Sequence, residues 1–136
     1  MDLIDEQILK ELSMNSRLSM SELGRRVHLS SPAVKERVLQ LEEQKIITKY
    51  TIELNKKNCG YPISSIIEAT IKNTLYEDFK NHIEKQHNID FCYRIAGAAC
   101  FMLKANFATF EEAELFIVGL IPFAHTKTYF IFSKVI

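Results

Sequence analysis

Between residues 19 and 41 the apolar positions form two short helical stripes with a break between them. Leu23 and Val27 make the first, and Val34, Val38 and Leu41, at i, i+4 and i+7, make the second. Ser19 with Glu22 three residues on has the spacing of a capping box, which starts the first helix. The break is His28-Leu29-Ser30. Ser31 then serves as the expected cap of the second helix, with Pro32 at the first helical position, where its missing N–H costs nothing. Upstream, Ile4, Ile8 and Leu12 share one face of a helix over 2–14, capped by Asp2 and carrying Asp5 and Glu6 near its positive end. Three helices with such a break are a helix-turn-helix candidate. The stretch 48–54 is β-branched and alternating, so it is expected as an extended strand, the wing of a winged helix-turn-helix.

Downstream the period changes. Residues 55–62, polar with Gly60 and Pro62, read as a linker between a unit over 1–54 and a unit over 63–136. Residues 63–71 are apolar and β-branched, a strand, and Tyr76, Phe79 and Ile83 place a helix over 76–86. Strands over 89–96 and 100–107 follow, with Phe91, Tyr93 and Ile95 aligned in one and Phe101, Leu103 and Ala105 in the other. Only Gly97-Ala98-Ala99 separates them, which suits a tight hairpin. Thr109 opens a last helix that Pro122 ends, and 126–132 is the last strand. The order βαββαβ is the ferredoxin-like unit, and the fold class is α+β. Helices on one side leave an isoleucine- and aromatic-rich sheet face, expected to meet a second subunit.

Charge adds a function. The chain has 17 basic and 17 acidic residues, yet Arg17, Arg25, Arg26, Lys35 and Arg37 stand against only Glu22 and Glu36 between positions 17 and 37. A local basic patch on a helix-turn-helix is the footprint of double-stranded DNA. Ser30, Ser31, Lys35 and Gln40 start or flank the exposed side of the second motif helix and are the expected DNA contacts. Arg25, Arg26, Lys45 and Lys49 are expected on phosphates, which position a protein without specifying sequence. Arg37, at the edge of the buried stripe, can pair with Glu42 or another carboxylate as readily as touch phosphate.

Other chemistry is thin. The 136 residues contain no apolar run of membrane-spanning length, and the acidic, amphipathic start is unlike a signal peptide, so a cytoplasmic location is expected. Cys59, Cys92 and Cys100 form no Cys-x-x-Cys pair, and His28, His82, His87 and His125 are dispersed, so neither disulfides nor a metal site is expected. No glycine-rich run cradles phosphate, and Cys92 and Cys100 sit in apolar strands of the kind that hold inert thiols. An enzyme and a cofactor are not expected.

The residues that carry these signals resemble the Lrp/AsnC, or feast/famine, family of transcriptional regulators. The resemblance lies in Ile4-Asp5, Ile8-Leu9 and Leu12, then Ser16-Arg17-Leu18-Ser19 and Glu22-Leu23-Gly24. It continues in Leu29-Ser30, Val34, Glu36-Arg37-Val38, Leu41-Glu42 and Ile46-Ile47, and in Arg94-Ile95-Ala96-Gly97 before the hairpin. It implies a homodimer assembling to an octamer, a nucleoid-associated regulator, and an amino-acid effector held around Gly97, Ala98, Ala99 and Cys100. The family's hairpin aspartate is missing here, and the nearest acid before the hairpin is Asp90. The expectation is therefore weak binding of common amino acids. The alternative is an architectural DNA-bending protein that senses nothing.

Overall fold

In the computed structural model, which describes residues 1–136, Asp2 caps the first helix, α1 (Leu3–Met14). The Asp5 amide donates to Asp2 Oδ1 at 2.9 Å and the Asp2 amide to Asp5 Oδ2 at 3.1 Å, so two aspartates close a full capping box. The helices α2 (Met20–Val27) and α3 (Ser31–Glu43) follow. Ile8, Leu12, Leu23, Val27, Val34, Val38 and Leu41 pack together as the core of this first unit, Met1–Glu53.

The break between α2 and α3 is made by His28, whose φ of 58° is left-handed, and by the Leu29 amide donating to the Gly24 carbonyl at 2.8 Å. Two expectations change here. The cap of α3 is Ser30, not Ser31, because the Ser30 hydroxyl accepts from the Ala33 amide; Pro32 therefore lies at the second helical position. The stretch 48–54 forms no strand. The first unit has no other strand for it to pair with, and Tyr50 instead turns its hydroxyl back to donate to Glu42 Oε1 at 2.6 Å.

The second unit, Leu54–Ile136, contains β1 (Ile63–Ile71), α4 (Tyr76–Glu84), β2 (Ile89–Arg94), β3 (Phe101–Phe107), α5 (Phe110–Leu120) and β4 (Ala124–Phe130). The sheet is antiparallel in the order β2-β3-β1-β4, the ferredoxin-like arrangement. Phe101, Leu103, Ala105 and Phe107 alternate inward on β3 and meet Ile67, Phe79 and Leu120 in the core. Thr109 caps α5, accepting from the Glu112 amide at 3.1 Å.

The expected linker is instead a folded turn of this unit. The Cys59 amide donates to Asn55 O, the Tyr61 amide to Lys56 O, and Lys56 Nζ lies 3.1 Å from Asp90 Oδ1. Asp90 occupies a register irregularity between Ile89 and Phe91 and also accepts from Asn106 Nδ2 at 2.9 Å. The hairpin is longer than three residues: Ile95 to Cys100 connects β2 to β3. The Cys100 amide donates to the Ala69 carbonyl of β1, and the Ile95 amide to the Cys100 carbonyl. Gly97, at φ 144°, takes a conformation that disfavours a side chain.

Candidate functional site

The exposed face of α3 consists of Pro32, Lys35, Glu36, Leu39 and Gln40, with Ser31 half-exposed beside them. Its first turn carries no acidic residue, unlike those of α1, α2, α4 and α5, so the positive end of its dipole is uncompensated. Lys35 makes no ion pair. Gln40 lies 3.5 Å from the Glu36 carboxylate, too far for a strong hydrogen bond. Ser30 is committed to its cap. Arg17, Lys45 and Lys49 are exposed and form no ion pair, and Lys45 ends α3 in a left-handed turn with φ 57°.

The other arginines expected on DNA are engaged with carboxylates. Arg25 grips Glu22 through Nε at 2.9 Å and NH2 at 2.6 Å, while Arg26 bonds both Glu22, at 3.1 Å, and Glu11 on α1, at 2.8 Å. The hydrogen bond from Arg25, then that from Arg26, pulls the Glu22 carboxyl down to about 2. Only half of the expected capping box forms: the Glu22 amide donates to the Ser19 hydroxyl at 3.0 Å while the Glu22 carboxylate turns to the arginines. Arg37 donates to Asp2 at 2.7 Å and to Asp5 at 3.1 Å. Its partner is thus a carboxylate, but on α1 rather than Glu42, and Arg26 and Arg37 tie α2 and α3 to α1. Arg25 keeps 73% of its side chain in solvent. Solvent and salt screen an exposed pair of that kind, so it stabilises little and is easily exchanged.

In the second unit a cavity of about 130 Å³ opens beside the β2–β3 hairpin. Of the four hairpin residues expected to hold an effector, Ala98 and Ala99 line it; Gly97 and Cys100 do not. The opposite wall comes from β1 and β4: Glu68, Thr70, His125 and Lys127. The nearest acid along the chain, Asp90, is not part of it. Burial acts to raise the Asp90 carboxyl, but hydrogen bonds from Asn106, Lys56 and Lys104 outweigh this and hold it below its ordinary value.

Cys100 departs from the expected inert core thiol. It is half-exposed, its Sγ is 3.6 Å from the Tyr76 hydroxyl, and hydrogen bonds from the Ile71 backbone and from Tyr76 pull its pKa down. Cys92 does behave as a core thiol, pushed up by burial. That Glu68 and Lys127 stand beside the hairpin was not legible in the sequence. Only the β1–β4 register, which sets them opposite each other, brings them beside the hairpin.

No helix is long and apolar enough to cross a membrane. Residues 1–42 match the model of the AsnC-type helix-turn-helix domain, and residues 64–136 that of the Lrp/AsnC ligand binding domain. The chain is 53% identical to the HTH-type transcriptional regulator LrpC of Bacillus subtilis, covering 99% of this chain and 94% of that one. It is 34% identical to the HTH-type transcriptional regulator LrpA of the same organism, over 98% of both. The solved structure of B. subtilis LrpC superposes with a TM-score of 0.97 at 53% identity, over 100% of this chain and 97% of that one. With both units matched in order along the chain, the protein belongs to the Lrp/AsnC family and is a DNA-binding transcriptional regulator of that type.

Proposed function

We propose that α3 reads the major groove, with Ser31, Lys35 and Gln40 at base edges or adjacent phosphates and Arg17, Arg25, Lys45 and Lys49 on the flanking backbone. Ser30 contributes through the cap that sets the start of α3. Arg26 and Arg37 act indirectly, by holding the three helices in register. The observation that carries this reading is the exposed α3 face, where an unpaired Lys35 sits one turn from a helix N-terminus lacking any first-turn acid. The same chain works as a binder, and no catalytic step is proposed for it. The reading includes a cytoplasmic, nucleoid-associated regulator that acts as a homodimer built through its open sheet face and assembling further to an octamer. It also includes an amino-acid effector bound at the hairpin cavity.

Lys35→Ala tests the interface. Replacing a phosphate contact should lower the slope of log affinity against log salt by about one unit, uniformly across sequences. Replacing a base contact should instead relax discrimination at one base pair by ~1–3 kcal/mol. Fluorescence anisotropy with operator and scrambled duplexes over a salt series separates the two. Unchanged affinity and slope for Lys35→Ala would remove α3 from the interface.

DNA wrapping without any effector is the competing reading, favoured by the methyl side chains of Ala98 and Ala99. It predicts DNA affinity that no amino acid alters.

A further inference from the structure

We infer that Glu36 reads a cytosine: its carboxylate accepts a hydrogen bond from the exocyclic N4 amino group in the major groove. This rests on the reading of α3 as the recognition helix and names a residue that makes that helix selective.

Side chains four apart lie on one row of a helix. The exposed side of α3 carries two such rows, Ser31-Lys35-Leu39 and Pro32-Glu36-Gln40. Glu36 is exposed and lies between Lys35 and Gln40, both of which that reading places on DNA. A helix that presents those two to a groove presents Glu36 with them.

A carboxylate is unfavourable there. It approaches a dense line of phosphates, and it is stripped of water as the groove closes around it. Elsewhere in this unit Asp2, Asp5, Glu11 and Glu22 are each held by an arginine, and Glu42 accepts from Tyr50. Glu43, the other unpaired acid of α3, is its last residue, far from the helix start that enters a groove. Glu36 has no cation beside it. Its one side-chain contact is Gln40 Nε2 at 3.5 Å, too long to satisfy it. The donor that offsets its desolvation must come from a base edge.

The major groove offers two kinds of amino donor, cytosine N4 and adenine N6. Adenine sets the acceptor N7 beside N6, and N7 repels a carboxylate. Cytosine has no acceptor on that edge. Thymine puts the acceptor O4 where cytosine has its amino group, so it is rejected. On sequences without the cytosine nothing offsets the repulsion, so Glu36 weakens binding to them.

Fluorescence anisotropy with the full-length chain tests this. The probe is the duplex that the unmodified chain selects from a random library, with each base pair then changed singly. Glu36→Ala should lose about five- to 150-fold of discrimination at one C·G pair and keep it at the others. It should bind scrambled duplex more tightly, most of all at low salt, because a charge facing phosphate is gone. Replacing that cytosine by pyrimidin-2-one, which lacks the amino group, should weaken the unmodified chain by a similar factor and leave Glu36→Ala unaffected. Glu36→Gln should shift the preference at that position to adenine, whose N6 and N7 an amide pairs together. If Glu36→Ala tightens every duplex equally and keeps its discrimination, Glu36 only repels phosphate and the assignment is overturned. A loss centred on a pair other than C·G overturns it too. If Glu36→Ala changes nothing while Lys35→Ala weakens binding, Glu36 lies outside the groove and the α3 reading stands. If neither variant changes anything, both fall. The pyrimidin-2-one duplex needs no variant: undiminished affinity of the unmodified chain at every cytosine so replaced overturns the contact.

Discussion

Gly24 shows how much one residue can decide. A Cβ built there would stand 2.5 Å from the Leu29 carbonyl oxygen, closer than atoms in folded proteins approach. The obstacle is backbone, so it cannot rotate aside. The turn between α2 and α3 closes over Gly24, and the Leu29 amide bonds the Gly24 carbonyl at 2.8 Å. Gly24→Ala should therefore destabilise the first unit by ~1–3 kcal/mol, the usual cost of overpacking, and weaken DNA binding because α3 is displaced. Gly119 in α5 is the internal control: the nearest atom to its added Cβ is His82 Nε2 at 3.8 Å. Gly119→Ala should be neutral or stabilising by up to ~1 kcal/mol, since alanine is the better helix former. Urea titrations followed by circular dichroism measure both. A Gly24→Ala midpoint equal to that of the unmodified chain would show that the turn can move.

At the scale of elements, the three helices of the first unit are joined by two ion-pair clusters as well as by their core. Glu11 and Glu22 share Arg26, and Asp2 and Asp5 share Arg37. The hydrogen bond from Arg37 holds the Asp2 carboxyl below its ordinary value, and Arg25, then Arg26, hold Glu22 at about 2. Carboxyls whose folded pKa is depressed contribute stability above their unfolded pKa and lose it as pH falls through the folded value. The first unit should thus keep this contribution above about pH 4.5, the ordinary value for glutamate, and lose it between there and about pH 2. Glu22→Gln should flatten that part of the profile, read as thermal midpoint against pH. A parallel profile for Glu22→Gln and the unmodified chain would mean that the arginine contacts contribute nothing in solution. These clusters also mark the limit of what the sequence shows. Helix positions were legible because apolar residues recur at helical spacing, and the caps at Asp2 and Ser19 because capping acts over three residues. The Arg37–Asp2 pair joins residues 35 apart, and nothing local announces it. Basic residues read as one DNA-facing patch therefore divide, once the helices pack, into clamps and free cations. The same limit made 48–54 look like a strand, since an alternating pattern cannot say whether a pairing partner exists.

At the scale of the molecule, the sheet has one face left over. α4 and α5 supply Phe79, Ile83, Ala113 and Leu120 to one side. The register puts Ile66, Tyr129, Phe91, Tyr93 and Met102 on the other, with Phe91 and Tyr93 stacked at 4.9 Å between ring centroids. Tyr93 is 62% and Tyr129 52% exposed. Aromatic side chains at two edges of one face, with aliphatic residues between them, suit an isologous contact in which each copy offers the same surface. A two-fold dimer built this way carries two copies of α3, and those must match half-sites one DNA turn apart, ~34–36 Å, or a multiple of it. Joining the sites converts the second binding event into an intramolecular one, so dimeric affinity for a paired site should exceed that for a single half-site by ~10²–10⁴. The double variant Tyr93→Glu and Tyr129→Glu places like charges at both edges of the face and should yield a monomer in sedimentation at micromolar concentration. Neither residue belongs to the core, so the monomer should keep its circular dichroism spectrum. Its affinity for a single half-site should match that of the unmodified chain, while the advantage of the paired site disappears. Inserting five base pairs between half-sites should have the same effect on the unmodified dimer, because half a turn of B-DNA sets the second half-site on the opposite side of the duplex. A double variant that still sediments as a dimer would move the interface away from this face. A monomer that retains full affinity for the paired site would separate DNA recognition from dimerisation altogether.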